Sequence, residues 1–250
     1  MFKKLLVTAL VMVSAVFAQN FKAGAHVAGS YGTAWGENTD FIEMGWGAGF
    51  NVGADVKVDL NKQFSIVGGV GLDYRRVLWD YGAFMKKMLT PFMTSEYGYS
   101  SKYEQMVNAI FGASVTYSFF YIDVPVVARF SPISNFFVDA GIDLGVNVNA
   151  NATYKLMGAE KSKNIDDIKN TFDFGLVFGA GYSVTKRLDV NFRAVIGLTD
   201  MVDFYKDPTL QDNDDDDYYD DYYDDEEDGS DIPFEFKNLR FHLGVTYWFM

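Results

Sequence analysis

The residues able to do chemistry fall into three groups, and none has the spacing of a catalytic centre. The first is an acidic tract, Asp212 to Asp231, in which thirteen Asp and Glu are interleaved with Tyr218, Tyr219, Tyr222 and Tyr223. Its charge equals in size the net charge of the whole chain, −13. Like charges at this density repel one another and prevent a packed core, so the tract is expected to be a disordered, solvated loop. Hard oxygen ligands are plentiful there, and Asp214, Asp215, Asp216 and Asp217 are the candidates for weak divalent-cation capture. An ordered calcium loop needs fixed ligand spacing and a turn glycine, which this run lacks. The second group is His26 and His242, the only histidines in the sequence. With a carboxylate such as Asp55 they could form a metal site, but membership of a hydrogen-bond network is the plainer expectation. The third group is a set of charged residues placed singly at alternate positions of apolar segments.

Catalytic signatures are missing. There is no nucleophile elbow and no metal-binding histidine pair. Gly45-Trp46-Gly47-Ala48-Gly49 superficially suggests a nucleotide loop, but it lies inside a period-two segment with no strand-to-helix transition. Neither an enzyme nor a cofactor is expected. The absence of Cys leaves no disulfide framework, thiolate site or lipoprotein anchor.

The elements that must position these residues are strands. Leu239, Phe241, Leu243, Val245, Tyr247 and Phe249 alternate with Arg240, His242, Gly244, Thr246 and Trp248. That is the period of a strand with two different faces. The same alternation runs through Phe21 to Tyr31, Phe50 to Val58, Phe64 to Tyr74, Phe136 to Val148, Phe172 to Tyr182 and Leu188 to Leu198. In Val115 to Phe130 it changes phase near Phe120 to Ile122, which predicts a β-bulge. Eight strands follow. Their connections alternate between short (Asp59 to Gln63, Ser131 to Asn135, Thr185 to Arg187) and long (Gly32 to Asp40, Asp80 to Gly112, Asn151 to Asn170, Asp203 to Pro233).

One face is polar, the other large and apolar. The polar face carries Lys22, Asp55, Lys57, Asp73, Arg75, Asp123, Arg129, Asp139, Asp143, Asp173, Asp189, Arg193 and Arg240, dotted with glycines. Mutually neutralising charges and small residues suit a narrow lumen, where unpaired charge is costly. The apolar face is too extensive for a soluble surface. The expected fold is therefore all-β: a closed antiparallel transmembrane β-barrel of eight strands, with short periplasmic turns and long extracellular loops. A soluble lipocalin-like carrier, with the faces reversed, is the alternative. Aromatic rings should mark the two membrane interfaces. Phe21, Phe64, Phe130, Phe136, Tyr182 and Phe249 fall at the periplasmic one, and Tyr31, Trp46, Tyr74, Tyr117, Phe172 and Phe234 at the outer one.

Lys3 and Lys4, the apolar run Leu5 to Val13 and Val16-Phe17-Ala18 form an export signal. Residues 1–18 are expected to be cleaved, leaving 19–250 as one barrel domain with the acidic loop at 203–233. The long loop Asp80 to Gly112 carries Phe84, Met85, Met88, Phe92, Met93, Tyr97, Tyr99 and Met106. These either pack the loop against the barrel rim, the plainer expectation, or offer an adaptable surface to a partner or apolar ligand. A short helix is predicted in it over Lys102 to Ile110.

The C-terminal stretch His242 to Phe249 is similar to the signal that the barrel-assembly machinery reads in outer-membrane proteins. A polar residue precedes Gly244 by two, and Tyr247 and Phe249 follow it at three and five. Met250, after the aromatic, departs from that pattern. The stretch Tyr121 to Phe130, with Pro125, followed by Phe136 to Gly141, resembles the Pro-bearing hairpin of the PorT-like outer-membrane β-barrel family. The overall plan is similar to the OmpX and OmpA transmembrane barrels. These resemblances imply residence in the outer membrane of a Gram-negative-type bacterium, with membrane lipid and the assembly machinery as partners.

Two function classes remain: a scaffold presenting its loops, and a narrow passive porin for ions or small solutes. About eight strands leave an interior filled by side chains, which favours the scaffold. The acidic loop would repel anionic lipopolysaccharide and favour cations or a basic partner. Nucleic acid is not an expected partner.

Overall fold

The structure, a computed structural model, describes residues 21–37, 39, 43–93, 112–156, 158–203 and 235–249. The export signal, the acidic tract with Asp214 to Asp217, the Lys102 to Ile110 segment and Phe234 lie outside the described residues. The described residues form nine strands: β1 (Phe21–Trp35), β2 (Met44–Asp59), β3 (Phe64–Trp79), β4 (Ser114–Ile133), β5 (Phe136–Leu156), β6 (Ala159–Asn164), β7 (Phe172–Ser183), β8 (Leu188–Asp200) and β9 (Lys237–Phe249). One helix, α1 (Tyr81–Met93), follows β3. Eight strands close into an antiparallel ring in the order β1-β2-β3-β4-β5-β7-β8-β9, and β9 pairs back onto β1. The extra strand, β6, folds back on the far end of β5 and, among the described residues, pairs with no other strand. The segment 151–170, expected to be a loop, is thus largely a hairpin that lengthens the wall.

Local chemistry sets the tight turns. Asn61 Oδ1 accepts the Gln63 and Phe64 N–H groups at 2.8 and 2.9 Å. Thr185 Oγ1 does the same for Arg187 and Leu188, both at 3.1 Å. Side chains that mimic a backbone acceptor reverse the chain within a few residues. These turns all lie at one end of the ring, and the long connections at the other.

The wall is inverted relative to a soluble protein. Leu243 is 65% exposed while Asp73 is 0% exposed, and the same contrast runs round the ring. Val27, Val52, Leu72, Val124, Leu144 and Phe192 face outward, whereas Asp123, Arg129, Asp139 and Arg240 are buried inside. The reversed faces of a lipocalin-like carrier are ruled out by this arrangement. On β4 the apolar outer band runs from Phe120 to Phe130, about 25 Å of height for a tilted strand.

Two details depart from expectation. The bulge near Phe120 exists, but the extra residue is Val148 on β5, because Phe120 pairs with Asn149 and Tyr121 with Asn147. Strand β4 keeps its phase throughout. Its inward face changes chemistry instead, from Asp123 and Arg129 near the short turns to Val115, Tyr117, Phe119 and Tyr121 near the long loops. Tyr117, expected in the outer aromatic ring, therefore points inward and is buried. It joins Phe119, Tyr121, Ala150, Ala152, Ile165, Ile168, Met201, Val202 and Phe236 in an apolar cap.

Candidate functional site

The lumen holds the charged residues in layers. Nearest the short turns, Arg129 donates from Nε and Nη2 to both oxygens of Asp139 (2.8 and 3.0 Å) and from Nη1 to Asp189 (2.8 Å). Its guanidinium lies 3.5 Å over the Phe137 ring. Asp189 also accepts the Trp248 indole N–H at 2.8 Å, and Arg193 reaches Asp139 only loosely, at 3.4 Å. Gly24 makes room for Trp248, since a Cβ there would meet indole Cε3 at 2.8 Å. Below this layer, at the rim, Lys57 stands over the Trp248 ring and 3.9 Å from Asp59, which Lys22 approaches to 3.5 Å.

A second layer lies towards the cap. Arg75 donates to Asp73 and Asp123, both at 2.7 Å, and to Asp173. The Arg75 guanidinium lies 3.6 Å over the Tyr121 ring. Arg240 donates to Asp143 (2.7 Å), Asn238 (3.0 Å) and Asp73. Two guanidiniums thus meet four carboxylates, and neutral donors help: Asn238 and Thr199 donate to Asp173 at 2.7 and 2.9 Å. Fork-shaped guanidiniums suit this task because each serves several carboxylates at once.

Between the layers lies a cavity of about 50 Å³ lined by His26, Asn51, Asp123, Asp143, Arg193 and His242 among others. It has room for roughly three waters. His26 Nε2 lies 2.6 Å from Asn51 Oδ1. Its Nδ1 is 3.0 Å from Asp55, an ion-pair distance without hydrogen-bond alignment. Among the described residues His242 Nε2 and Arg193 Nε have no hydrogen-bond partner, a need that water in the cavity would satisfy. Register places Ser30 opposite His242 and Thr246 opposite His26, so the two histidines share the cavity without facing each other. No group of three metal-ligating side chains converges among the described residues.

Every member of the expected lumen set thus faces inward, from Lys22 at the rim to Arg240 beneath the cap. The donors Trp248, Asn238 and Thr199 and the stacking rings Phe137 and Tyr121 were not singled out in the sequence as network members. The inward phase of Trp248 was the available signal. Of the C-terminal signal residues, Tyr247 and Phe249 face outward in edge contact, 5.6 Å between centroids. Gly244 packs against Ala28 of β1.

An apolar outer wall, a charged core and alternating turn lengths describe a barrel built for lipid. The profile of the outer membrane protein beta-barrel domain matches residues 17–203. The chain belongs to that family. This outer-membrane barrel is also similar to two solved structures. One is Ail, the attachment invasion locus protein of Yersinia pestis, with TM-score 0.43, 10% identity, and 92% of this chain and 99% of that one covered. The other is Neisserial surface protein A, with TM-score 0.42, 13% identity, and coverage of 92% and 97%. No curated protein matches.

Proposed function

We propose that this outer-membrane barrel is a closed scaffold that presents its long-loop end to the cell exterior and conducts nothing through its lumen. The observation that carries this reading is the stacking of two Arg–Asp layers under an apolar cap. Phe119 and Tyr121 are fully buried across the same bore that Arg75 and Arg240 bridge. Function then resides in the outer ends of the strands, the β5–β6 hairpin and the acidic tract, which would attract a cation or a basic partner and is weakened by salt. No catalytic role is assigned. Kinship with the PorT-like group rests on the Pro125 hairpin.

The rival reading is a narrow porin. An open vestibule of about 660 Å³ at the short-turn end, lined by Lys57, Lys62, Arg129 and Ser65 among others, supplies half of a wet path. Single-channel recording of residues 19–250 in a planar bilayer decides between them. Silence across voltages supports the scaffold, and steady cation-selective steps overturn it.

A further inference from the structure

One sector of the outer wall differs from the rest just above the lipid band. Phe50, Tyr74, Phe120 and Asn149 lie in register across β2 to β5, and Phe50 and Tyr74 pack with ring centroids 5.6 Å apart. One pleat further towards the long loops the row reads Arg76, Ser118, Asn151 and Asn164. A groove of about 450 Å³ opens there, lined by Tyr74, Phe120, Ser118, Asn149, Asn151 and Ser162 among others. Ser162 accepts a hydrogen bond from Thr153 across the β5–β6 pair at 3.2 Å.

The chemistry of this patch is selective. Its polar groups are hydroxyls and amides, neutral and able both to donate and to accept. Arg76 is exposed and makes no ion pair among the described residues. Other described charges nearby are Lys155 and Glu160, in register at the tip, and Asp166, which accepts from Asn164 and is neutralised by Lys169. Beneath the aromatic row the wall continues as Leu72, Ile122, Val124 and Val146. A ligand that fits has a sugar-like polar body for the amides and hydroxyls, a phosphate for the guanidinium and an apolar tail for the wall.

We infer that this groove, together with Arg76 at its edge in register with Ser118, binds the phosphorylated sugar headgroup of an outer-leaflet glycolipid, with Arg76 on a phosphate and Ser118 and Asn151 on sugar hydroxyls. The inference rests on the orientation proposed above, with the long-loop end outside. A soluble sugar phosphate would leave the apolar wall unused, and a glycerol headgroup offers no ring for Tyr74 and Phe120.

The test is lipid retention. The mature barrel, refolded in detergent, is loaded with lipopolysaccharide or with phosphatidylglycerol and exchanged into fresh detergent, and bound phosphate is counted per folded barrel. Wild type should keep lipopolysaccharide and lose phosphatidylglycerol. Arg76→Gln should lower retention roughly tenfold, the worth of one charge-assisted contact. Asn151→Ala should lower it less, and Lys155→Gln not at all. All three substituted positions lie on exposed or partly exposed surface, and gel mobility before and after heating confirms that each barrel is folded. Equal retention by wild type and Arg76→Gln, equal retention of phosphatidylglycerol, or complete displacement by glucose 1-phosphate would each overturn the inference. Conductance is read separately, so a conducting barrel that binds glycolipid refutes the scaffold alone.

Discussion

Arg129 places its whole guanidinium fork inside the wall, on Asp139 and Asp189, with a phenyl ring beneath it. Its removal strands two buried carboxylates, and breaking such a pair costs about 3–5 kcal/mol. Arg129→Met should lower the urea midpoint of the refolded barrel accordingly. Lys22→Ala, which loses only a half-exposed contact at 3.5 Å, should move it by less than about 1 kcal/mol. Asp166, outside the lipid band, links the hairpin to the cap. Its carboxylate accepts from the Ala150 N–H and from Lys169, both at 2.8 Å, and from Asn164. Desolvation pushes this carboxyl up, but the three donors prevail and hold it below the ordinary 3.8. A lowered folded value means the contribution is complete above the unfolded value and lost as pH falls through the folded one. Protection of the Ala150 amide from hydrogen exchange, relative to the free-amide rate at each pH, should therefore be constant at neutral pH and fall below about pH 4. Asp166→Asn should abolish that step.

At the scale of elements, close approach of strands limits what the wall tolerates. Gly141 faces the β4 backbone so closely that a Cβ would fall on the Val126 carbonyl oxygen and 2.6 Å from the Val127 Cα. Backbone cannot yield as a flexible side chain does, so Gly141→Val should reduce the folded fraction after refolding, seen as loss of the heat-sensitive gel band. The strands themselves were readable because alternation survives wherever the two faces differ, as in Leu239 to Phe249. It fails where they agree. In the upper half of β4, Tyr117, Phe119 and Tyr121 face inward while Phe120 and Ile122 face outward, so apolar residues stand on both sides and the pattern mimics a phase slip. The real slip, at Val148, is masked because Asn147, Asn149 and Asn151 are alike in polarity across it. The β5–β6 hairpin was missed for a related reason. Its Ala159 to Asn164 strand is exposed on both faces, and nothing in Glu160-Lys161-Ser162-Lys163 separates a solvated strand from a loop. For the lumen, alternation gave the inward charges, but pairing partners depend on ring order, which no local pattern encodes. Arg240 meets Asp73 across 167 residues of sequence.

For the whole molecule, the layers predict how resistance to ion flow is distributed. Truncating Tyr117, Phe119 and Tyr121 together to Ala should leave the barrel silent, because the Arg75 and Arg240 layer still bridges the bore. Adding Arg240→Ala should give measurable current, and current from the first variant alone would place the barrier in the cap. The ring also has a seam. Strand β1 finds β9, with Ala23 opposite Phe249, so the first strand of the ring waits for the last. Until β9 arrives, β1 and β8 each carry a row of unpaired amides and carbonyls that hydrocarbon cannot solvate. Insertion is thus complete only once β9 closes the ring. A barrel cut short before Lys237 has no half-stable form in the bilayer, and whatever holds the nascent chain must shield both raw edges until the final thirteen-residue strand zips them shut.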